Sequence, residues 1–549
     1  MAKKIECRVW VILALIVGLA AILRFWRLSE YPAGLHIDEA SLGYNAYSLL
    51  KTGRDENGKF LPLHIDMFGD NRPAGYQYLD ILPIKFFGLN EFATRFPSAL
   101  FGALTPLVIF LLAREIFKNT SVGLLTAILL AISPWHVVIP RASAETIVAL
   151  FLIIFGIYLW LNGDRRSITL GGLLMALSFF FYHTPRVFVP VLLAVLIFLF
   201  YLLEKKKNLQ QILLVFGLLT FLSFFLIFGT KEGTGRFQQV SIFHFPEIRL
   251  VLEEQIGEDG VVGLPVLATR FFHNKLINYG FGYLKEYFRY FSFNFLFIEG
   301  GLPIWYQIPN MGLMYLAELP FFLIGLFSLA NQAKKKRLLL IPLIWLVLGP
   351  TVASLTRDDT PNIQRSLVML PALVMITAFG FYQGYIFAKK YLKKVIFHLG
   401  MGVLILGFIW NFSYFLHQYF VHAKIHRPWY RFEGFKEMVL KVNELAPKYE
   451  KVFISKAEGG VYMHFLFFSK IEPAEYQKLG SPKDKDYGGF GKYIFFPQQC
   501  VFGKNALLVA SGKCQEAPFT SSEAIPIYRG DGTVVFRIYP GGKNEKEKI

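Results

Sequence analysis

The chain has 549 residues, of which 54% are hydrophobic and only 17% charged, with a formal net charge of +18. Soluble domains carry nearer a quarter charged residues, so this composition excludes an ordinary soluble enzyme and points to a polytopic membrane protein. The positive charge falls in short connections between apolar runs and forms no basic, aromatic-interleaved surface, which excludes a nucleic-acid partner.

A membrane-crossing helix needs about twenty apolar residues. Runs that qualify begin at Val9, Phe96, Val122, Glu145, Ile168, Val187, Ile212, Leu313, Leu338, Ser366 and Val395, predicting eleven spans. The first, Val9 to Phe25, follows Lys3, Lys4 and Arg8 and lacks a small-residue cleavage site, so it reads as a retained signal anchor. The other basic clusters are Arg114 with Lys118, Arg165 with Arg166, Lys205 to Lys207, Lys334 to Arg337 and Lys389 to Lys394. Each follows an even-numbered run. By the positive-inside rule the N-terminus is cytoplasmic, and every long polar segment, the C-terminal one included, lies outside.

Between the first two spans an outer loop, residues 28–95, opens with the adjacent acids Asp38 and Glu39. Tyr44, Tyr47, Leu49 and Leu50 then gather near one face, predicting an amphipathic helix in the membrane interface. A second outer loop, residues 231–310, is aromatic-rich and too interrupted to span, which predicts another interfacial layer. The expected organisation is a transmembrane domain over 1–416, a small outer α/β domain over 417–542 and a disordered tail over 543–549.

Within the α/β domain, Gly434 to Leu445 and Gly460 to Phe468 read as helices. Lys451 to Ser455, Tyr493 to Phe496 and Ala506 to Ala510 read as strands. Ile525 to Tyr528 and Thr533 to Tyr539 read as a hairpin across Gly530, Asp531 and Gly532. Cys7 reads as inert. Cys500 and Cys514 form a disulfide or stay as two thiols, according to whether their region faces an oxidising exterior.

Ionisable residues at the membrane boundary are expensive to bury, so each outer one is a candidate for chemistry. Asp38 and Glu39 follow span one, with Asp70 and Arg72 later in the same loop. Arg141 and Glu145 bracket the turn between spans three and four; the plain alternative is a four-residue pairing on one helix face. Arg186 lies between spans five and six, where snorkelling is the alternative. Arg365 lies near Asp358 and Asp359, themselves read as a solvated turn. His36, His64, His136, His183, His244 and His273 are all outer residues, but no metal-ligand spacing is visible among them. A carboxylate general base, arginines for a phosphate and a bilayer cavity for a lipid tail are the parts needed to transfer a sugar from a lipid phosphate.

The ordered motifs resemble the GT-C superfamily of polyprenyl-phosphate-sugar glycosyltransferases, the group with protein O-mannosyltransferases and lipid A aminoarabinose transferases. They are Asp38-Glu39, the run Asp70 to Tyr76, the run Phe87 to Gly102, Ser133 to His136 with Arg141 and Glu145, and Tyr182 to Pro190. They cover roughly the first two hundred residues; the likeness thins through Gly300, Gly301 and Arg365 and further in the C-terminal domain. The resemblance implies an inverting transferase acting on the extracytoplasmic side of the cell membrane. It would move a sugar from a polyprenyl phosphate to a hydroxyl on a protein, lipid or glycan. Asp38 would be the base, Glu39 an organising acid and Glu145 the second acid. Arg72, Arg141, Arg186 and Arg365 would meet the donor phosphate. Arg72 stands where the family has Lys, and Ala74 where it has a second Pro. Metal use differs among relatives, so no cofactor is implied, and a divalent cation stays open. An oligosaccharide ligase or polymerase shares these parts. A lipid or glycan transporter fits less well, because transporters place ionisable groups near the midplane and these spans are almost uncharged.

Overall fold

The structure is a computed structural model describing residues 6–199, 208–244, 246–334, 336–479, 488–496, 506–512 and 524–540. Cys500, Cys514, the lysines 205–207 and the tail 543–549 lie outside the described residues. The chain divides into two compact units. One comprises Met1–Arg24, Phe101–Ile139 and Glu145–Phe415; the other comprises Phe25–Leu100, Pro140–Ala144 and Leu416–Ile549. The division differs from the expected one: residues 25–100, which include the first outer loop, and Pro140–Ala144 group with the C-terminal residues.

In the first unit, helices form where the apolar runs begin. Among the described residues eight are long and apolar enough to cross a membrane, from Cys7–Phe25 to Lys394–Ile425. A ninth candidate is a pair, Thr120–Ile132 with Pro134–Arg141, bent by 59°. The break has a local cause: Ser133 caps the second helix and Pro134 at its first turn cannot continue the first one's hydrogen bonds. Arg24 then donates to the carbonyls of Leu130, Ala131 and His136 around the break, groups that a lipid surrounding could not satisfy. The remaining two of the eleven expected spans are Arg165–Ser178 and Thr184–Ile197, each 14 residues. At 1.5 Å per residue these are about 21 Å long, short of the roughly 30 Å of a hydrocarbon core.

The residues 231–310 form helices Lys231–Val240, Pro246–Val261, Val266–Phe272 and Lys275–Arg289, with Val261, Leu267, Leu276 and Phe281 exposed. Elsewhere in this unit the helices Leu319–Ala333 and Leu370–Tyr391 meet through glycines. A methyl group on Gly325 would overlap the Ile376 carbonyl, and one on Gly380 the Phe321 carbonyl. Small residues at such crossings let backbones approach and pack without hydrophobic drive from lipid.

The second unit holds a six-stranded sheet. Its strand order is Gly489–Phe490, Tyr493–Phe496, Lys451–Ser455, Ala506–Ser511, Val534–Tyr539, Ile525–Tyr528. Lys451–Ser455 runs parallel to both neighbours, and the last two strands pair antiparallel as the hairpin read from the sequence. The helices Phe435–Leu445 and Val461–Phe468 also fall where the sequence places them. One buried cluster joins the sheet residues Val452, Ile454, Leu507 and Phe536 to Leu35, Ala40, Tyr44 and Ala46 of the first outer loop.

That cluster gives the amphipathic face of the loop a protein partner. Helix Ile37–Thr52 is buried from Glu39 through Ala46, with Tyr44 donating to the Ile471 carbonyl at 3.1 Å. Its apolar face packs on protein, on Ile84 and Ala93 from nearby in the chain and on residues of Val461–Phe468 and the sheet from its far end.

Gly380→Leu is expected to lower the thermal stability of the detergent-solubilised protein by overpacking, on the order of 1–3 kcal/mol. Gly384→Ala, whose added Cβ meets only ordinary contacts near 3.6 Å, is expected to leave it unchanged. Fluorescence-detected size-exclusion after a heating series compares the two.

Candidate active site

The acid pair begins a helix, and its capping fixes both carboxylates. His36 is extended and its Nδ1 accepts from the Asp38 backbone N–H, while Glu39 Oε2 accepts from the His36 N–H. This reciprocal capping box places both acids in the first turn, where the helix dipole favours negative charge. Consecutive helical residues point about 100° apart, as 3.6 residues per turn requires. The two carboxylates therefore enter different surroundings.

Asp38 stays partly open, with its side chain 25% exposed, and its Oδ2 lies 3.1 Å from Arg72 Nη2. The Arg72 Nε donates to Asp70 Oδ2 at 3.0 Å, and His36 Nδ1 lies 3.7 Å from Asp38 Oδ2. The hairpin of His64–Met67 and Asp70–Pro73 holds Arg72 opposite Ile65. Burial lowers the His36 pKa, against the pull of the Asp38 and Glu39 charges, so the ring stays a neutral cap.

Glu39 is enclosed. Its Oε1 accepts from Arg95 Nε at 2.8 Å and from the Ser143 backbone N–H at 3.2 Å; its Oε2 accepts from Arg95 Nη2 at 3.1 Å. The Arg95 guanidinium is fully buried and also donates to the carbonyls of Leu28, Pro32 and Gly34. All five of its N–H groups are thereby used. Burial alone would raise the Glu39 pKa; the Arg95 charge and the hydrogen bonds from Arg95, Ser143 and His36 outweigh it and hold the carboxyl below its usual range.

Arg141 shares this unit. Its Nη2 donates to the carbonyls of Trp26 and Tyr31, and its guanidinium lies over the rings of Tyr419 and Phe420. It ends a short helix, Ile139–Arg141, whereas Glu145 starts the helix Glu145–Asn162. The two residues therefore do not share one helix.

The other sequence candidates belong to the first unit. Glu145 is buried. Arg186 is buried too, with Nε on the Phe179 carbonyl at 3.0 Å and Nη1 on the Leu226 carbonyl at 3.3 Å. Arg365 pairs with Asp358 at 3.1 Å and donates to Thr356 Oγ1 at 3.0 Å, so Asp358 is an ion-pair partner as well as a turn residue. Among the described residues no group of three or more His, Cys, Asp or Glu is arranged to hold a metal ion.

Two residues of the acid-pair site were not singled out from the sequence, Arg95 and Ser143, and the cap His36 was named there only as one of six outer histidines. Arg95 had a signal, a lone arginine where an apolar run begins; Ser143 had none.

The sequence model of the family described as dolichyl-phosphate-mannose-protein mannosyltransferase matches residues 71–228. An uncharacterised protein of Aquifex aeolicus is 30% identical over 147 residues, 27% of this chain and 28% of its own length. ArnT from Cupriavidus metallidurans bound to undecaprenyl phosphate is similar in structure at a TM-score of 0.52 and 15% identity. The match covers 97% of this chain and 98% of that one. The archaeal oligosaccharyltransferase AglB from Archaeoglobus fulgidus, in complex with an inhibitory peptide and a dolichol-phosphate, gives 0.50 at 14% identity over 84% of this chain. This chain spans 64% of AglB's length. The fold is the GT-C fold, in agreement with the resemblance read from the motifs, and the chain is a multi-pass membrane protein.

Removing one partner of a buried ion pair leaves an uncompensated charge, at a cost of roughly 3–5 kcal/mol. Arg95→Ala is expected to destabilise the protein by that order in thermal unfolding, whereas Asp38→Asn is expected to unfold like the parent. Because the folded-state pKa of Glu39 lies below its unfolded value, its stabilisation is complete above about pH 4.3. It is lost as pH falls through the folded value. A stability profile measured from pH 7 to pH 3 should be less steep in Glu39→Gln.

Proposed function

We propose that this protein is an integral-membrane glycosyltransferase that moves one sugar from a polyprenyl phosphate to a hydroxyl acceptor on the extracytoplasmic side. The observation that carries this reading is the division of labour within the acid pair: Asp38 is accessible and paired with Arg72, while Glu39 is buried as a fixed strut. Two structural neighbours, ArnT and AglB, have undecaprenyl phosphate and a dolichol-phosphate bound, which supports a polyprenyl-phosphate donor here. The basic clusters on alternate connections support an outer location for the acid pair.

In this mechanism Asp38 takes the proton of the acceptor hydroxyl as general base while that oxygen attacks the anomeric carbon. The bond from the anomeric carbon to the phosphate oxygen breaks, and the polyprenyl phosphate departs with the electron pair. Attack from the face opposite the leaving group inverts the anomeric centre. Arg72 neutralises charge next to Asp38. Arg186 and Arg365 are assigned to the phosphate and Glu145 as the second acid. Arg141 orders the chain at Trp26 and Tyr31 that leads into the acid-pair helix, and Glu39 organises that helix from within.

Asp38→Asn is expected to lower transfer from a polyprenyl-phosphate sugar by about a hundredfold or more, the usual weight of a general base. Its elution and unfolding should match the parent. Product formation followed by mass spectrometry over a panel of donors makes the test; full turnover in Asp38→Asn would remove Asp38 as the base.

A further inference from the structure

The second unit contains a polar cleft that the acid-pair chemistry does not use. It encloses about 370 Å³, within the roughly 300–1,000 Å³ of small-molecule sites. One wall is the chain before the acid pair, including Gly34 and Leu35; the others come from residues 424–437, Phe468 and the hairpin turn at 528–530. The first wall is fixed from two sides. Arg95 holds the Gly34 carbonyl at 2.7 Å, and His464 Nε2 lies 2.9 Å from the Leu35 carbonyl. Gly34, at a φ of 73°, also sits so close to the Arg431 carbonyl that no side chain fits there.

The lining mixes signs. Glu30, Glu91, Glu433 and Glu437 face the same space as Lys424, Lys436 and Arg529, with Lys436 paired to Glu91 and Arg529 to Glu458. A phosphate would meet the carboxylates and an ammonium the cations, so neither simple ion suits the whole. Glu433 is buried, and its Oε2 accepts from the Gly530 N–H at 2.8 Å. Among the described residues its Oε1 has no hydrogen-bond partner, nor does Arg529 Nε. Both residues line the cleft, and between them they offer one unsatisfied acceptor and one unsatisfied donor, the complement of hydroxyl groups that both give and take hydrogen bonds. Buried polar atoms left so are costly until a ligand supplies the partner. Phe468 and Tyr528 add aromatic faces to the same lining.

We infer that this cleft binds the hydroxyl-bearing face of a sugar, and that the acceptor of the proposed transfer is a glycan. The assignment rests on the glycosyltransferase reading for the word acceptor, but the cleft's affinity for a sugar does not depend on it. The cleft wall ends at Leu35, next to His36, the cap of the helix that carries Asp38, so the wall and the base belong to one continuous stretch of chain.

The test uses the purified full-length protein in detergent with the methyl glycosides of glucose, mannose and galactose, and with inorganic phosphate as competitor. Ligand-detected NMR and calorimetry should register binding of at least one glycoside, equal in the parent and in Asp38→Asn. Glu433→Gln and Tyr528→Ala should each weaken it about tenfold or more, the weight of one good contact to a sugar. Tyr528 is more than half exposed, so its replacement tests the cleft without threatening the fold. Absence of glycoside binding, equal binding in all variants, or displacement by phosphate would overturn the inference. Glycoside binding that needs Glu433 and Tyr528, without transfer from any polyprenyl-phosphate sugar, would uphold the cleft and remove the transferase reading. Transfer without glycoside binding would do the reverse.

Discussion

The buried bond between Arg95 and Glu39 is the constraint on which the second unit depends. A guanidinium taken wholly out of water must satisfy five donors, and Arg95 does so on two kinds of partner at once. Two donors go to the carboxylate at the start of helix Ile37–Thr52, and three go to the carbonyls of Leu28, Pro32 and Gly34. Those carbonyls belong to the irregular stretch between the first span and that helix, where backbone acceptors lack helical partners. One side chain therefore fixes both the approach to the acid pair and the first turn of the helix that displays it. Nothing about Asp38 itself would hold it in position as firmly.

The same interior shows what happens to carboxyls without such a partner. Glu56 is buried with Asn45 as a neutral hydrogen-bonding neighbour, and burial, with the nearby Asp55 and Asp66 charges, pushes it up to about 8. Asp80 is buried as well, and burial alone raises its pKa well above the usual range. Glu39 sits equally deep and stays ionised. The difference is one guanidinium, as expected where low dielectric penalises a lone charge and rewards a paired one. The chain thus favours a fixed negative charge where Arg95 needs it, while burial raises the pKa of Glu56 and Asp80. Asp38, partly open to water, is left as the carboxylate of the pair that a substrate can reach.

Much of this was legible locally. Apolar runs beginning at Val9, Phe96, Glu145, Ile212 and Ser366 became long helices, because hydrophobic length is a property of one segment. The strands Lys451–Ser455 and Tyr493–Phe496 and the final hairpin were equally legible from alternation and turn residues. What composition cannot reveal is which distant surface covers an amphipathic face. Tyr44 and its neighbours read as a membrane-interface stripe because the pattern for lying on lipid and for packing on protein is the same. The covering residues, from Val461–Phe468 and the sheet, arrive from the far end of the chain. The bend at Ser133–Pro134 was visible as a motif but not as a bend, since a proline at a first helical turn also begins an unbroken helix.

The site was legible in its residue types and not in their roles. Adjacent acids, outer arginines and a capping histidine were all on view, yet sequence spacing could not say which arginine met which acid. Arg72, which stands where the family has Lys, touches Asp38 directly; Arg141 donates to the carbonyls of Trp26 and Tyr31. Such assignments depend on long-range closure: the pair Glu39–Arg95 spans 56 positions, and Ser143 reaches Glu39 across 104. The order of these residues along the chain nevertheless has a physical meaning. Residues that converge on one helix start must each sit where a separate segment passes it, so the motifs recur at segment edges. A lone arginine at the edge of an apolar run is therefore better read as a seeker of buried acceptors than as one more topological charge, and Arg95 is the residue for which that reading decides the site.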